Sequence, residues 1–222
     1  MPLVNSLESD DFLRLWQSLN ITDITLYKME NLLAKVGEEY KRIVTAEADS
    51  RSGLTIFNSS MPHAAYVTKK LLENTHEEVR ILSGTFLEPF YANLKDTIEE
   101  ALVHRLKLFR VITLYNKSSS FAETLKNKYP NIFDFYSLGL DATKKDVREK
   151  LQEINHFSVY DENKCRIEAI HPADLIDNSI VRAEANFNNL EVGKNLKNAF
   201  DEIWLSISKK RAVGRLRSIL VS

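Results

Sequence analysis

The chain has 222 residues, of which 44% are hydrophobic and 27% are charged. This balance is typical of a folded globular protein and excludes a disordered chain. The 30 Lys and Arg residues nearly cancel the 31 Asp and Glu residues, so the net charge excludes a whole-molecule attraction to nucleic acid or to an anionic membrane.

A single cysteine, Cys165, excludes an intramolecular disulfide and a thiolate metal cluster, and it favours a reducing compartment. The N-terminal residues lack the basic-then-apolar order of a secretion signal, and no apolar run approaches the ~18 residues of a membrane-spanning helix. The histidines lack the paired spacing of metal ligands, and the glycine-rich phosphate loops are missing. We therefore expect a cytoplasmic protein with no metal and no cofactor.

The first 52 residues predict a pair of helices, at residues 9–19 and 22–48. Apolar residues of the second helix are spaced alternately three and four apart, as in a coiled-coil seam. They are Leu26, Met29, Leu33, Val36, Tyr40 and Ile43. This spacing predicts a helix hairpin that packs on the main domain or on a second subunit.

From residue 53 on, short apolar runs alternate with amphipathic segments. Strands are predicted at 54–57, 79–82, 106–114 and 132–138, and helices at 64–74, 87–104 and 121–128. Such alternation predicts an α/β fold with a mixed, largely parallel sheet and helices on both faces. The charged segment 141–154 is typical of a helix or a loop.

The remaining chain predicts a hairpin, one more strand and a closing helix. The runs HFSVYD and KCRIEAI flank the turn DENK, which predicts a β-hairpin from residue 156. A strand at 180–187 and a helix at 191–206 follow. We expect the α/β domain to span 53–207.

A basic tail is expected at 208–222. Its cations could bind RNA, DNA or lipid headgroups, or could simply be solvated. They are Lys209, Lys210, Arg211, Arg215 and Arg217.

The order of elements between residues 64 and 204 resembles one half of the phospholipase D-like fold, in a divergent, single-copy form. The resemblance is carried by VRILSG, KLFRVITL, a late strand that opens with His156, the ANFNN segment and the NAFDEIW helix. The family's signature is HxK, then an Asp, then Gly-Ser and an Asn. The resemblance implies a histidine that attacks phosphorus, and cations and amides that neutralise the phosphate oxygens. It also implies two signature copies that meet across an axis, so a single-copy chain would form a homodimer.

Only part of that signature is present. His156 matches the histidine and Asn186 matches the asparagine, which makes these two the candidate catalytic residues. Ser158 stands where the lysine is expected, and Ala183 and Glu184 stand where Gly and Ser are expected. Glu184 would then place a negative charge near a phosphate. Each lost cation or donor costs about 3 kcal/mol of transition-state stabilisation, so efficient catalysis is not expected unless another cation compensates.

Further polar residues near the signature are candidate ligand contacts, together with Ser158. Lys164, Arg166 and Glu168 alternate along the second hairpin strand and share one face, so a compensating cation beside an acid is possible. Asn188 could contact a ligand, and Asn188 or Asn189 could instead cap the closing helix. His156 itself could be a structural histidine at the end of the sheet.

Three functions are compatible with these residues. The leading hypothesis is a catalytically degenerate phospholipase D-like domain that acts as a dimeric binding or assembly module for a phosphate-containing ligand, nucleic acid or a partner protein. One alternative is an active phosphodiesterase that acts on nucleic acid and uses His156 across a homodimer. Another is an accessory or regulatory subunit of a bacterial defence or mobile-element system.

Overall fold

The computed structural model describes residues 23–86, 88–115, 119–139, 155–169 and 182–220. The helix predicted at 9–19 and the segment 141–154 lie outside these residues. Among the described residues, those up to Arg42 and those from Ile43 onward form two compact units.

The predicted second helix is confirmed as α1, Asp23–Ser50. Two ion pairs between side chains three residues apart, Glu38 with Lys41 and Glu39 with Arg42, follow its exposed surface. Val36 and Ile43, which belong to the predicted coiled-coil seam, are largely exposed. In the described part of the chain, the seam is therefore not buried at these two residues.

In the part of the chain that the structure describes, seven strands form one sheet, in the order β1-β7-β6-β5-β2-β3-β4. The strands are β1 (Thr55–Asn58), β2 (Glu78–Ser83), β3 (Leu108–Thr113), β4 (Phe133–Ser137), β5 (His156–Tyr160), β6 (Lys164–Glu168) and β7 (Ala183–Asn186). The predicted hairpin is confirmed as β5 and β6, which pair antiparallel.

The mixed α/β sheet is confirmed, but the expectation of a largely parallel sheet is wrong. Among the described strand pairs, only β2–β3 and β3–β4 are parallel. The β2–β5, β5–β6, β6–β7 and β1–β7 pairs are antiparallel. Alternation of strands and helices predicts parallel pairing only for strands joined by a helical crossover. The late strands instead follow one another without a described helix, and β1 pairs with the last strand.

Helices follow or precede most of these strands. They are α2 (Met61–Glu73), α3 (Glu88–Ala92), α4 (Lys95–His104), α5 (Ser120–Lys128) and α6 (Leu190–Leu220). The single helix predicted at 87–104 is wrong, because a turn at Asn93 and Leu94 divides it into α3 and α4. The closing helix is also longer than predicted, since α6 continues past Ser206 to Leu220.

Helices cover both faces of the sheet. On one face, α6 packs Phe200, Trp204 and Ile207 against buried strand residues that include Leu82 and Phe157. This docking also uses charge, because the buried Arg80 guanidinium donates to Asp201 of α6 at 2.9 and 3.0 Å. On the opposite face, Ala64 and Met61 of α2 pack with Ala183 of β7.

Cys165 is a buried strand residue, as its position in an apolar strand indicates. Burial, reinforced by the nearby Glu184 carboxylate, raises the pKa of its thiol to about 11. Because only the thiolate is nucleophilic, this cysteine is chemically inert at neutral pH.

Candidate functional site

One row of mostly polar residues crosses the whole sheet at its end. The strand register places these residues side by side, and successive strands contribute Ser137, Thr113, Ser83, His156, Glu168, Ala183 and Asn58. We call this set the polar row. Ser83, Thr113 and Ser137 are the last residues of the three parallel strands. The carboxyl ends of parallel strands are where α/β sheets bind ligands.

The hydroxyl groups of the parallel strands shape the loops that follow those strands. Ser83 donates to the carbonyl oxygen of Thr85 at 2.9 Å. Thr113 and Ser137 both donate to the carbonyl oxygen of Tyr115, at 3.4 and 2.9 Å. This part of the polar row is therefore structural.

His156 begins β5 and is only 2% exposed. Gly84 lies against its imidazole: a Cβ at residue 84 would lie 2.9 Å from Cε1 of His156 and 3.0 Å from a ring carbon of Tyr115. A side chain at residue 84 would displace the imidazole or the tyrosine ring. The glycine of the VRILSG segment is thus needed for the position of the histidine.

Arg166 lies directly opposite Ser158, on the neighbouring strand of the hairpin. Ser158 stands where the resemblance described above predicts a lysine, so the hairpin brings a cation beside that residue. The guanidinium donates from Nη1 to the Glu168 carboxylate. Its buried Nε has no hydrogen-bond partner among the residues that the structure describes. The register places His156, Ser158, Arg166 and Glu168 on one face of the sheet.

Two tyrosines lie close to this cluster. Burial raises the pKa of the Tyr91 phenol far above its ordinary value, with a contribution from Tyr160. Burial also raises the pKa of Tyr160, against opposing hydrogen bonds from Ser158 and Thr68 and the charge of Arg166. Both phenols are neutral hydrogen-bonding groups at neutral pH. They carry no charge that would repel an anion.

Lys164 is held at the other end of the hairpin, away from His156. Its ammonium donates to Asp161 at 2.8 Å and to Asn163 at 3.1 Å, and its side chain is 3% exposed. Lys164 lies opposite Tyr160, whereas His156 lies opposite Glu168. The structure therefore places Arg166, and not Lys164, opposite Ser158.

Asp161 fixes the hairpin turn to the start of β2. Its carboxylate accepts the backbone amides of His76, Glu77 and Glu78 as well as the Lys164 ammonium. Burial alone would raise the pKa of this carboxyl, but the Lys164 ammonium and the amides of Glu77 and Glu78 outweigh burial and lower the pKa. Because three backbone amides and the Lys164 ammonium donate to its carboxylate, Asp161 has a structural role.

The change Asp161→Asn is expected to lower the free energy of unfolding at pH 7 by about 2 to 3 kcal/mol, because buried Lys164 loses its counter-ion. Asparagine tolerates the positive φ of 57° at this residue, so the variant tests the charge and not the backbone. A lowered carboxyl pKa stabilises the fold above the unfolded value of about 4, and this stability is lost as the pH falls through the folded value. Urea unfolding between pH 7 and pH 3 should therefore show a gap between wild type and variant that closes below about pH 4.

Asp134→Asn is the matched control for this variant. Asp134 pairs with Lys126 at 2.7 Å, but both side chains are nearly half exposed. The control should change the free energy of unfolding by less than about 1 kcal/mol. Equal losses in the two variants would contradict a specific role of the Asp161 charge.

The asparagine cluster after β7 is a structural junction. The Asn186 amide donates to the carbonyl oxygen of Gly53 at 2.7 Å and accepts the backbone amide of Asn188 at 2.8 Å. Asn188 donates to the carbonyl oxygen of Arg51 at 3.0 Å. Asn189 accepts the amide of Val192 at 3.1 Å and caps α6, as one of the two predicted caps.

The structure does not bring Asn186 and His156 together. Asn186 lies opposite Cys165, three residues along β6 from Glu168, which is opposite His156. This offset is about 10 Å along the strand, and alternation of side chains points the two to opposite faces of the sheet. The same alternation points Glu184 away from His156. The expected negative charge of Glu184 beside a phosphate at His156 is therefore not found.

A pocket of about 470 Å³ adjoins the polar row at this end of the sheet. It is lined by Phe57, Asn58, Ser59, Asn155, Ile167, Ala169, Arg182, Ala183 and Glu184. Asn58 and Ala183 belong to both the pocket and the polar row, so the two features are contiguous. We call this feature the strand-end pocket.

Sequence reasoning missed the strand-end pocket and the hydroxyl part of the polar row. A usable signal is the polar residue that closes each buried strand, as in ILS, VIT and FYS. No comparable signal exists for the pocket, because it is formed by strands that are distant in sequence.

The backbone of α6 includes the basic residues from Lys209 to Arg217. Their side chains lie outside the part of the chain that is described. Within the described ranges, no three His, Cys, Asp or Glu side chains are grouped closely enough to hold a metal ion. No described helix is long and apolar enough to span a bilayer.

No family model matches the chain, and no curated protein matches it in sequence. Among solved structures, the chain is similar to TrmBL2, an archaeal chromatin protein with a novel mode of DNA binding. That likeness has 16% identity, a TM-score of 0.49, and covers 89% of this chain and 68% of TrmBL2. The chain is also similar to NucT from Helicobacter pylori, with 12% identity, a TM-score of 0.47, and coverage of 69% and 96% of the two chains. Both likenesses are too low to carry a function from those proteins to this chain.

Proposed function

We propose that the chain is a nucleic-acid-binding module with a degenerate phospholipase D-like site, which contacts a phosphate through Arg166 and His156 without efficient turnover. The observation that carries this proposal is the position of Arg166 opposite Ser158, on the same sheet face as His156. A guanidinium is suited to phosphate because its planar N–H groups match the phosphate oxygens. The Nε of Arg166, which has no partner among the described residues, supplies such a donor.

The surroundings of this cluster support binding more than catalysis. The charge of Arg166 is neutralised by Glu168 and is not available in full to stabilise a transition state. His156 is buried, and Asn186 lies on the other face of the sheet, so a nucleophile and its expected amide do not converge. The ligand would reach the cluster from the end of the sheet, where the strand-end pocket meets the polar row.

A homodimer is part of this proposal. Sites of the phospholipase D-like type are built from two signature copies, and this chain has a single, incomplete one. The exposed Val36 and Ile43 of α1 support an interface between copies. Light scattering after size-exclusion chromatography should give twice the mass of the chain, and a monomer at all concentrations would contradict the dimer.

Binding to labelled DNA and RNA oligonucleotides tests the module directly. The wild-type chain should bind with an affinity that falls as salt rises, because phosphate contacts release counter-ions. Arg166→Lys keeps the charge beside Glu168 but loses the planar fork, so it should weaken binding about tenfold while leaving the melting temperature nearly unchanged. His76→Ala, an exposed histidine at a turn, is the control and should bind like wild type.

Turnover of the same oligonucleotides separates the module from its rival, an active phosphodiesterase. That rival is favoured by an imidazole placed by Gly84 at the carboxyl ends of the parallel strands. Cleavage that is lost in His156→Ala and kept in His76→Ala would establish the enzyme. Absence of oligonucleotide binding, or binding that Arg166→Lys and His156→Ala leave unchanged, would contradict the proposed module.

A further inference from the structure

The strand-end pocket has an aromatic wall and charged residues that point to one class of ligand. Phe57 of the edge strand β1 is 71% exposed, which is unusual for a large aromatic side chain and leaves its ring available for stacking. Glu184 lies directly opposite Phe57 on one side and Ile167 on the other. Glu184 is exposed and lines the pocket between these two apolar side chains.

The other residues that line the pocket supply further charged and hydrogen-bonding groups. Arg182 lies two residues before Glu184, immediately before β7. Because side chains alternate along an extended chain, its guanidinium is expected on the same face as the Glu184 carboxylate. Asn155 adds an amide that can both donate and accept. The volume of about 470 Å³ is within the range of small-ligand sites.

We infer that the strand-end pocket binds a guanine base, with Glu184 accepting its N1–H and 2-amino groups and Phe57 stacking on its ring. A carboxylate that accepts two adjacent N–H groups selects guanine, because adenine and cytosine do not present two adjacent donors on their pairing edges. Flipped bases of single strands are commonly read in this way, by an aromatic ring and by hydrogen bonds to the pairing edge. Arg182 is placed to contact the phosphate of that nucleotide.

This inference rests on the proposed nucleic-acid-binding function and names the base that it recognises. The polar row and the strand-end pocket are contiguous but lie on opposite sides of the strands, as Phe57 and Asn58 alternate along β1. A strand that passes the end of the sheet would place one phosphate near Arg166 and an adjacent base in the pocket.

Calorimetric binding of GMP, IMP and AMP to the wild-type chain tests the base. IMP lacks the 2-amino group of GMP and so removes one of the two proposed hydrogen bonds. GMP should bind about tenfold more tightly than IMP, and AMP should bind more weakly than either. Glu184→Gln should remove the preference for GMP over IMP, because the amide accepts only one N–H. Phe57→Ala should weaken all three nucleotides by about tenfold.

Two further variants complete the test. Arg182→Gln should weaken GMP but leave the nucleoside guanosine unchanged, because only the phosphate contact is lost. Leu54→Ala, an exposed apolar residue outside the pocket, should bind all ligands like wild type. Equal affinities for the three nucleotides, no binding of GMP, or an unchanged preference in Glu184→Gln would overturn the guanine site. Oligonucleotide binding that still depends on Arg166 would then leave the proposed module intact.

Discussion

Arg166→Met is expected to lower the free energy of unfolding by about 3 to 5 kcal/mol, the usual cost of removing one partner from a buried ion pair. Arg166 and Glu168 have side chains only 11% and 15% exposed, so the carboxylate would lose its guanidinium where water replaces it poorly. Methionine keeps most of the length of the aliphatic stem, so the loss reports the charge and not a cavity. Urea unfolding followed by circular dichroism measures it.

The double variant Arg166→Met with Glu168→Leu should recover most of that loss, because it removes both charges and fills their volume with apolar groups. Lys107→Met is the control. Lys107 pairs with Glu77 at 2.8 Å, but both side chains are mostly exposed, so its loss should be below about 1 kcal/mol. A double variant as unstable as Arg166→Met alone would show that the pair is not the source of the effect.

Gly193→Ala is expected to destabilise the chain by about 2 to 3 kcal/mol, although alanine is the better helix former by about 1 kcal/mol. Gly193 lies in the first turn of α6, and an added Cβ would overlap the carbonyl oxygen and carbon of Glu162 in the hairpin turn. The Cβ is attached rigidly to the helix, and the atoms it would meet belong to the backbone of the hairpin turn, so the helix or the hairpin must move. Thermal and urea unfolding measure the loss.

Gly37→Ala tests the same substitution where space is available. Gly37 lies inside α1, and a Cβ there would have no atom within 4 Å apart from its own helix. This variant should increase helicity and should not lower the free energy of unfolding. If both glycine variants behaved alike, helix propensity and not the contact with Glu162 would govern residue 193.

The contact between α6 and the hairpin turn matters for the candidate site. The turn at Asp161 connects the two strands that hold His156 and Arg166. A shift of this turn would alter the register that sets Arg166 opposite Ser158. Oligonucleotide binding by Gly193→Ala at a temperature where it remains folded should therefore be weaker than wild-type binding. Binding equal to wild type would show that the cluster does not depend on the position of α6.

The sequence by itself determined the type and approximate position of most described elements, because local periodicity encodes them. Helix α1, the β5–β6 hairpin and the buried strands β2 and β3 are visible as spacings of apolar residues within single segments. The break between α3 and α4 and the extension of α6 were not predicted, since helix ends depend on weak local preferences.

The composition of the candidate site was partly legible from the sequence. His156 matches the histidine of the signature, and Arg166 shares one face of its strand with Lys164 and Glu168, so both were candidates from the sequence. The position of Asn186 relative to these two residues could not be predicted, because it depends on which strands pair and in which register. A match in sequence spacing placed Asn186 in the site, whereas the pleat points its side chain to the opposite face and the loop carbonyl of Gly53 accepts its amide.

Only the tertiary structure decided the order of the strands, the polar row and the strand-end pocket. The polar row joins residues from Asn58 to Ala183 that are far apart in sequence, and its members become neighbours only through hydrogen bonds between strands. The pocket forms because β1 pairs with β7 at the far side of the sheet. Pairing between distant strands is set by the burial of the whole core and not by any one segment, so local periodicity predicts the individual elements, whereas the packing of the sheet positions the site.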